Sequence, residues 1–81
     1  MRYMASLNTV SQPDPSLLPA EMARFNELRA QGTLAETFLA HDRMRGWFVV
    51  NTDSPEAARQ IVESLPFSRY WNIEITELLG G

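Results

Sequence analysis

The chain contains no cysteine, no lysine and a single histidine among its 81 residues. Without cysteine, disulfides and thiolate-ligated metal sites are excluded, and His41 alone provides too few ligands for an ordinary zinc site. Without lysine, covalent catalysis through a lysine Schiff base is also excluded. We therefore expect no metal in this protein.

The charge and length exclude further classes of protein. The net charge of −3 argues against nucleic acid as a partner, because phosphate binding requires a clustered basic surface. No apolar run reaches membrane-spanning length, and the first residues lack the apolar core of a signal peptide. We expect a cytoplasmic protein with one domain over residues 1–81. A domain of this size buries only ~60% of its unfolded surface, so pairing with another copy would stabilise it.

The first third of the chain predicts a strand followed by a helix. Residues 2–10 alternate in polarity, which is typical of a strand with two unlike faces. A helix should then begin between Asp14 and Pro19, because either proline of this segment can occupy the first helical position. Gly32 is well placed to end it. Its apolar residues at helical spacing are Leu18, Met22, Phe25 and Leu28.

The middle of the chain predicts a hairpin and a second helix. Two strands should be joined tightly at residues 41–43, the second of them rich in β-formers over residues 46–50. Either Asp53 or Ser54 is a suitable N-cap for the following helix, and Pro66 should end it. The expected buried stripe of this helix consists of Ala58, Ile61, Val62 and Leu65.

Residues 70–78 predict the last strand, with Trp71, Ile73 and Ile75 on one face. The element order is then βαββαβ, the ferredoxin-like α+β arrangement. Right-handed crossovers place both helices on one face of a four-stranded antiparallel sheet. The other face needs a cover, and a second copy of the chain is the simplest one, so we expect a homodimer or a larger ring.

Several segments resemble the muconolactone isomerase family over roughly residues 16–78. They are Gln31-Gly32-Thr33, Val49-Val50-Asn51, Asp53-Ser54-Pro55-Glu56-Ala57, Leu65-Pro66-Phe67 and Tyr70-Trp71-Asn72-Ile73-Glu74-Ile75. The resemblance implies a dimeric α+β barrel, in which two ferredoxin-like sheets pack face to face. It also implies an enzyme without metal or organic cofactor that moves a double bond in an unsaturated lactone and assembles into a ring. A histidine of the family is replaced here by Arg43, and nearby small and polar residues are replaced by Arg45 and Trp47.

Three residues are candidates for acid–base catalysis. The resemblance favours Glu74 as the base, on the strand face opposite Trp71; the alternative is a polar residue at the dimer interface. His41, next to Asp42, resembles acid–base pairs found in this group of folds, although adjacent residues of a strand point to opposite faces and a turn usually exposes both. Tyr3 carries a hydroxyl that a pocket can use as an acid.

Five further residues are candidates for substrate binding. Arg43 and Arg45 can bind a substrate carboxylate through paired hydrogen bonds, or they are surface charges at a strand end. Trp47 and Tyr70 can line a pocket for an aromatic ligand, and Trp47 can equally lie at an interface. Asn72 can orient the ligand or bridge two sheets.

Three functions fit the sequence. The leading hypothesis is a cofactor-independent isomerase or cyclase that transfers a proton on a small lactone, organic acid or polyketide-like aromatic compound. A second is a cofactor-free oxygenase of aromatic compounds with the same fold. A third is a non-catalytic protein that binds a small ligand or acts in assembly. A cavity large enough for a six-carbon acid would separate the enzymes from the third hypothesis.

Overall fold

The computed structural model describes residues 1–79 and has the predicted element order. The strands are β1 (Arg2–Thr9), β2 (Leu34–Leu39), β3 (Arg45–Asn51) and β4 (Trp71–Glu77), and the helices are α1 (Leu18–Ala30) and α2 (Pro55–Glu63). Short 3₁₀ turns at Pro15–Leu17 and Pro66–Tyr70 precede α1 and β4. The strands form one antiparallel sheet in the order β2-β3-β1-β4. The ferredoxin-like α+β fold is therefore confirmed.

Local capping explains where the helices begin and end. The Ser54 hydroxyl accepts a hydrogen bond from Ala57 N at 3.1 Å, so Ser54 rather than Asp53 is the N-cap of α2. Asp14 caps the 3₁₀ turn before α1 by accepting from Ser16 N at 2.9 Å. After α1, Gly32 adopts a φ of +78°, a conformation that glycine enters without the steric cost of a Cβ.

The hydrophobic core lies between the helices and one face of the sheet. The sheet contributes alternate residues of its two central strands, and α2 contributes the stripe predicted for it. The fully or nearly buried members are Tyr3, Ala5, Leu7, Phe48, Val50, Ala58, Val62 and Leu65. This face also carries Trp71, Ile73 and Ile75 of β4, which are partly buried against the core.

Helix α1 is packed closely on the sheet only near its C-terminal end. Leu28 is 2% exposed, whereas Leu18 and Met22 are 49% and 46% exposed. The apolar stripe of α1 is therefore buried at its C-terminal end and exposed in the N-terminal half of the helix. Its apolar side chains border an open cleft instead of a packed core.

The second face of the sheet has no helix over it. Met4, Trp47 and Val49 lie on this open face, as their pairing across neighbouring strands shows. Phe38, opposite Trp47, is 51% exposed. An ion pair between Arg2 and Glu36, 3.2 Å apart, crosses the same face. No helix of the described residues is long and apolar enough to cross a membrane.

Candidate active-site cleft

The cleft lies between α1 and the helix-covered face of the sheet and has a volume of about 720 Å³. It is at the end of the sheet where β1 finishes and β3 and β4 begin. Leu7 and Phe48 form part of its floor, and Leu18 and Met22 form part of its helical wall. The cleft exists because the N-terminal half of α1 stands away from the strands.

Aromatic side chains run in a row along the inside of the cleft. The rings of Phe25 and Phe48 meet edge to face with centroids 5.9 Å apart, and Phe48 meets Trp71 in the same way at 6.2 Å. Phe67 also borders the cleft. Edge-to-face contacts of this kind fix the rings relative to one another, so the apolar wall is preorganised.

Glu21 places a carboxylate in this largely apolar wall. The residue is 7% exposed, and it lies one turn of α1 before Phe25. Its Oε1 accepts a hydrogen bond from Phe67 N at 2.9 Å. Burial raises the pKa of Glu21 above its usual value, and the Phe67 N–H acts in the opposite direction by stabilising the charged form. A carboxyl group placed in this way can accept a proton from a substrate and return it.

Arg43 and Arg45 lie at the rim of the cleft, Arg43 in the connection between β2 and β3 and Arg45 at the first position of β3. Neither forms an ion pair within residues 1–79, where the ion pairs are Arg2–Glu36 and Arg24–Glu27. The Arg45 guanidinium lies 5.9 Å from the centroid of the Trp47 ring, so Arg43 carries the guanidinium that is available to an anionic ligand in the cleft.

The turn that carries Arg43 and leads into Arg45 is fixed by hydrogen bonds. Asp42 Oδ1 accepts from Met44 N at 2.9 Å, and Met44 O accepts from Thr9 N of β1 at 2.8 Å. Arg43 has a φ of +63°, which is uncommon for a residue with a Cβ. Such strain is often found at functional positions. The Asp42 carboxylate is used to build the turn, while the neighbouring His41 is exposed and does not line the cleft.

The structure brings together Arg43 and Arg45 of the residues predicted for the site, but it does not bring Glu74 to them. Glu74 is exposed on the open face, at the position on β4 that pairs with Ser6. Asn72 is exposed on the same strand face, and Trp47 lies on the open face with the Arg45 guanidinium 5.9 Å from its ring centroid. Tyr70 contacts Phe67, with ring centroids 6.4 Å apart.

Tyr3 is buried in the core and does not line the cleft. It is 1% exposed, and its hydroxyl donates to Met1 Sδ at 3.7 Å. Burial raises the pKa of Tyr3, and the negative charges of Glu77, Glu56 and Asp53 raise it further. The Tyr3 hydroxyl thus lies near the opposite end of β1 from Arg43 and Arg45.

Glu21 was not among the residues predicted from the sequence, although the sequence contains a signal for it. It follows Leu18 by three positions and precedes Phe25 by four, so it lies on the apolar stripe of α1. An ionisable residue within such a stripe is either a solvated edge position or a functional group in a cavity. The described residues contain no group of three or more histidine, cysteine, aspartate or glutamate side chains able to hold a metal ion.

Comparison with known proteins gives one family. No curated protein matches the chain. A sequence model of the family described as muconolactone delta-isomerase matches residues 8–80, which include Glu21 and both rim arginines. Because this match covers nearly the whole chain, the protein belongs to the muconolactone delta-isomerase family.

Proposed function

We propose that this protein is a cofactor-independent isomerase that moves a proton within a small unsaturated lactone or organic acid bound in the cleft. The observation that carries the proposal is Glu21, a buried carboxylate with a raised pKa in an apolar cleft whose rim holds Arg43, which forms no ion pair within residues 1–79. Membership of the muconolactone delta-isomerase family supports the same type of reaction.

Glu21 acts as the base in this proposal. The ionised carboxylate removes a proton from the γ-carbon of the α,β-unsaturated lactone, and the electron pair moves through the double bond onto the carbonyl oxygen as a dienolate. The same carboxyl group then returns the proton to the α-carbon, which leaves the double bond between the β- and γ-carbons. The Phe67 N–H holds Oε1 at 2.9 Å and orients the carboxyl group, so that Oε2 is the oxygen that exchanges the proton.

Arg43 stabilises negative charge on the substrate. Its guanidinium binds a carboxylate through paired hydrogen bonds. This role needs an arginine without a competing carboxylate, and Arg43 forms no ion pair within residues 1–79. The cleft itself also supports a ligand-binding role. A sheet that was tightly covered by its helices would instead favour a purely structural protein.

The test compares two matched substitutions, Glu21→Gln and Glu74→Gln. Proton exchange is followed by NMR as deuterium incorporation into muconolactone in D₂O, with dissolved oxygen monitored in parallel. We expect Glu21→Gln to slow exchange by about 10²–10⁴-fold and Glu74→Gln to leave it within about threefold of the unmodified protein. The opposite ranking would assign the base to Glu74, as the family resemblance suggests. Oxygen consumption with an anthrone-type substrate, without isomerisation, would instead support an oxygenase.

We also infer that a second copy of the chain covers the open face. Phe38 is 51% exposed there, next to Trp47 and the largely buried Val49, so an apolar area is available for sheet-to-sheet packing. Phe38→Glu should shift the protein towards monomer in light scattering coupled to size-exclusion chromatography. The matched control is Leu79→Glu, a substitution of an exposed apolar residue outside the strands. If Phe38→Glu retains the assembly of the unmodified chain, this face is not the interface.

A further inference from the structure

The size of the cleft exceeds the needs of a single lactone ring. Its volume of about 720 Å³ lies well inside the range of ~300–1,000 Å³ that encloses drug-sized ligands. A six-carbon lactone acid would fill only part of this space.

The shape and chemistry of the wall favour a flat apolar ligand. Phe25, Phe48 and Trp71 form an unbroken row of rings, with consecutive centroids 5.9 and 6.2 Å apart. Planar rings pack well on rows of this kind because faces and edges of aromatic systems attract each other. The side chains next to the row, Leu7 and Met22, are also apolar.

The basic and acidic groups of the cleft lie in different parts of it. Arg43 is at the rim in the β2–β3 connection, whereas Glu21 is in the helical wall and is held by the Phe67 N–H. A ligand with an anionic group at one end can place that group at Arg43 and lay its rings along the aromatic row. Leu18 and Met22, which are 49% and 46% exposed, would then be covered by the ligand.

We propose that the substrate is a planar acid of two-ring size, with its anionic group at Arg43 and an enolisable carbonyl next to Glu21. The inference rests on the proposed function, since it uses the same cleft and the same base, and it narrows the substrate class. A single-ring lactone acid would then be a poor substrate that occupies only part of the site.

The ligand dependence is measured by isothermal titration calorimetry with 2-naphthoate, benzoate and 2-naphthamide. We expect 2-naphthoate to bind at least tenfold more tightly than benzoate, because the second ring covers the aromatic row. It should also bind at least tenfold more tightly than 2-naphthamide, which lacks the charge that Arg43 recognises. Equal affinity for 2-naphthoate and benzoate would overturn the proposed size, and equal affinity for the amide would overturn the anionic group.

A pair of substitutions on α1 tests whether 2-naphthoate binds in the cleft. Met22→Trp fills part of the cleft and should weaken 2-naphthoate by at least tenfold while changing benzoate by less than threefold. Asn26→Trp is the control, since Asn26 is exposed on the same helix and does not line the cleft. Circular dichroism verifies that both variants fold. If both variants bind 2-naphthoate like the unmodified chain, the ligand does not occupy the cleft.

Failure of this inference can be distinguished from failure of the proposed function. If 2-naphthoate shows no preference but proton exchange on muconolactone depends on Glu21, the substrate class is wrong and the isomerase proposal stands. If 2-naphthoate binds as expected but Glu21→Gln leaves exchange unchanged, the role of Glu21 is wrong. Binding of 2-naphthoate should survive Glu21→Gln, because the substitution preserves the size of the side chain.

Discussion

The carboxylate of Glu21 on α1 accepts a hydrogen bond from Phe67 N, 46 positions further along the chain, at 2.9 Å. The donor is in the 3₁₀ turn that links α2 to β4. This bond connects the first helix to the segment after the second helix, and both residues line the cleft. It also partly offsets the cost of burying the charge, whose net effect is a raised pKa for Glu21.

The first prediction concerns stability. Because folding raises the pKa of Glu21, the folded protein binds this proton more tightly than the unfolded chain does. The resulting stabilisation is complete below the unfolded pKa and is lost as the pH rises through the folded pKa. Glu21→Gln should therefore have a higher Tm than the unmodified protein at pH 7.5, and the difference should shrink at pH 4.

Differential scanning calorimetry at the two pH values tests this prediction, and each kcal/mol gained should raise Tm by about 4–8 °C in a domain of this size. Glu63→Gln, at an exposed position on α2, is the control for the change from glutamate to glutamine. A lower Tm for Glu21→Gln at pH 7.5 would mean that the hydrogen bond from Phe67 outweighs the cost of burial.

The second prediction concerns the pH dependence of turnover. A base must be ionised, so kcat/KM should rise with pH and level off above the pKa of Glu21. Burial raises that pKa, and the rising limb should accordingly lie above the range of an ordinary glutamate. Glu74→Gln should leave the position of the limb unchanged. A limb at the usual glutamate pKa would show that a solvated carboxylate performs the reaction.

The third prediction separates backbone strain from ligand binding at Arg43. Glycine adopts positive φ without the cost of a Cβ, so Arg43→Gly should stabilise the protein by about 0.5–1 kcal/mol. The same substitution should weaken binding of an anionic ligand by at least tenfold. Arg43→Ala is the matched control, because it removes the guanidinium and keeps the strain. Chemical denaturation and calorimetric titration give the two quantities, and equal stability of the two variants would argue that the turn is unstrained.

The fourth prediction concerns the start of α2. The Ser54 hydroxyl accepts from Ala57 N, so Ser54→Ala should cost about 1 kcal/mol of unfolding free energy. Asp53→Ala removes the neighbouring polar side chain without removing this cap and should cost less than half as much. Urea denaturation measures both. A larger loss for Asp53→Ala would assign the cap to the other residue.

Local patterns were sufficient to predict the fold because each element carries its own boundary signal. Period-two alternation identified β1 and β4, and Gly32 and Pro66 were correctly placed at helix ends. The hairpin was also predicted, although its connection spans residues 40–44 rather than the tight turn at 41–43. Within this connection, Met44 N donates a hydrogen bond to Asp42 Oδ1.

The site was predicted less completely, because periodicity identifies an apolar face without showing what lies opposite it. Leu18, Met22 and Phe25 have the spacing of core residues, yet they border a cleft. Glu21 was missed for the same reason. Its position on the apolar stripe indicates a functional role only when that stripe is known to face a cavity. Arg43 and Arg45 were predicted as ligand-binding residues from their chemistry, and both residues border the cleft. The role of Glu74 as a base stays a prediction, and its exposed position on the open face does not support it.

The hydrogen bond between Glu21 and Phe67 joins the two βαβ halves of the fold. The half with β1, α1 and β2 contributes the carboxylate, and the half with β3, α2 and β4 contributes the N–H that orients it. Neither half alone can reproduce the environment of the base. Activity should consequently be lost when the two halves separate during unfolding. Two complementary fragments of the chain should recover activity only when both are present.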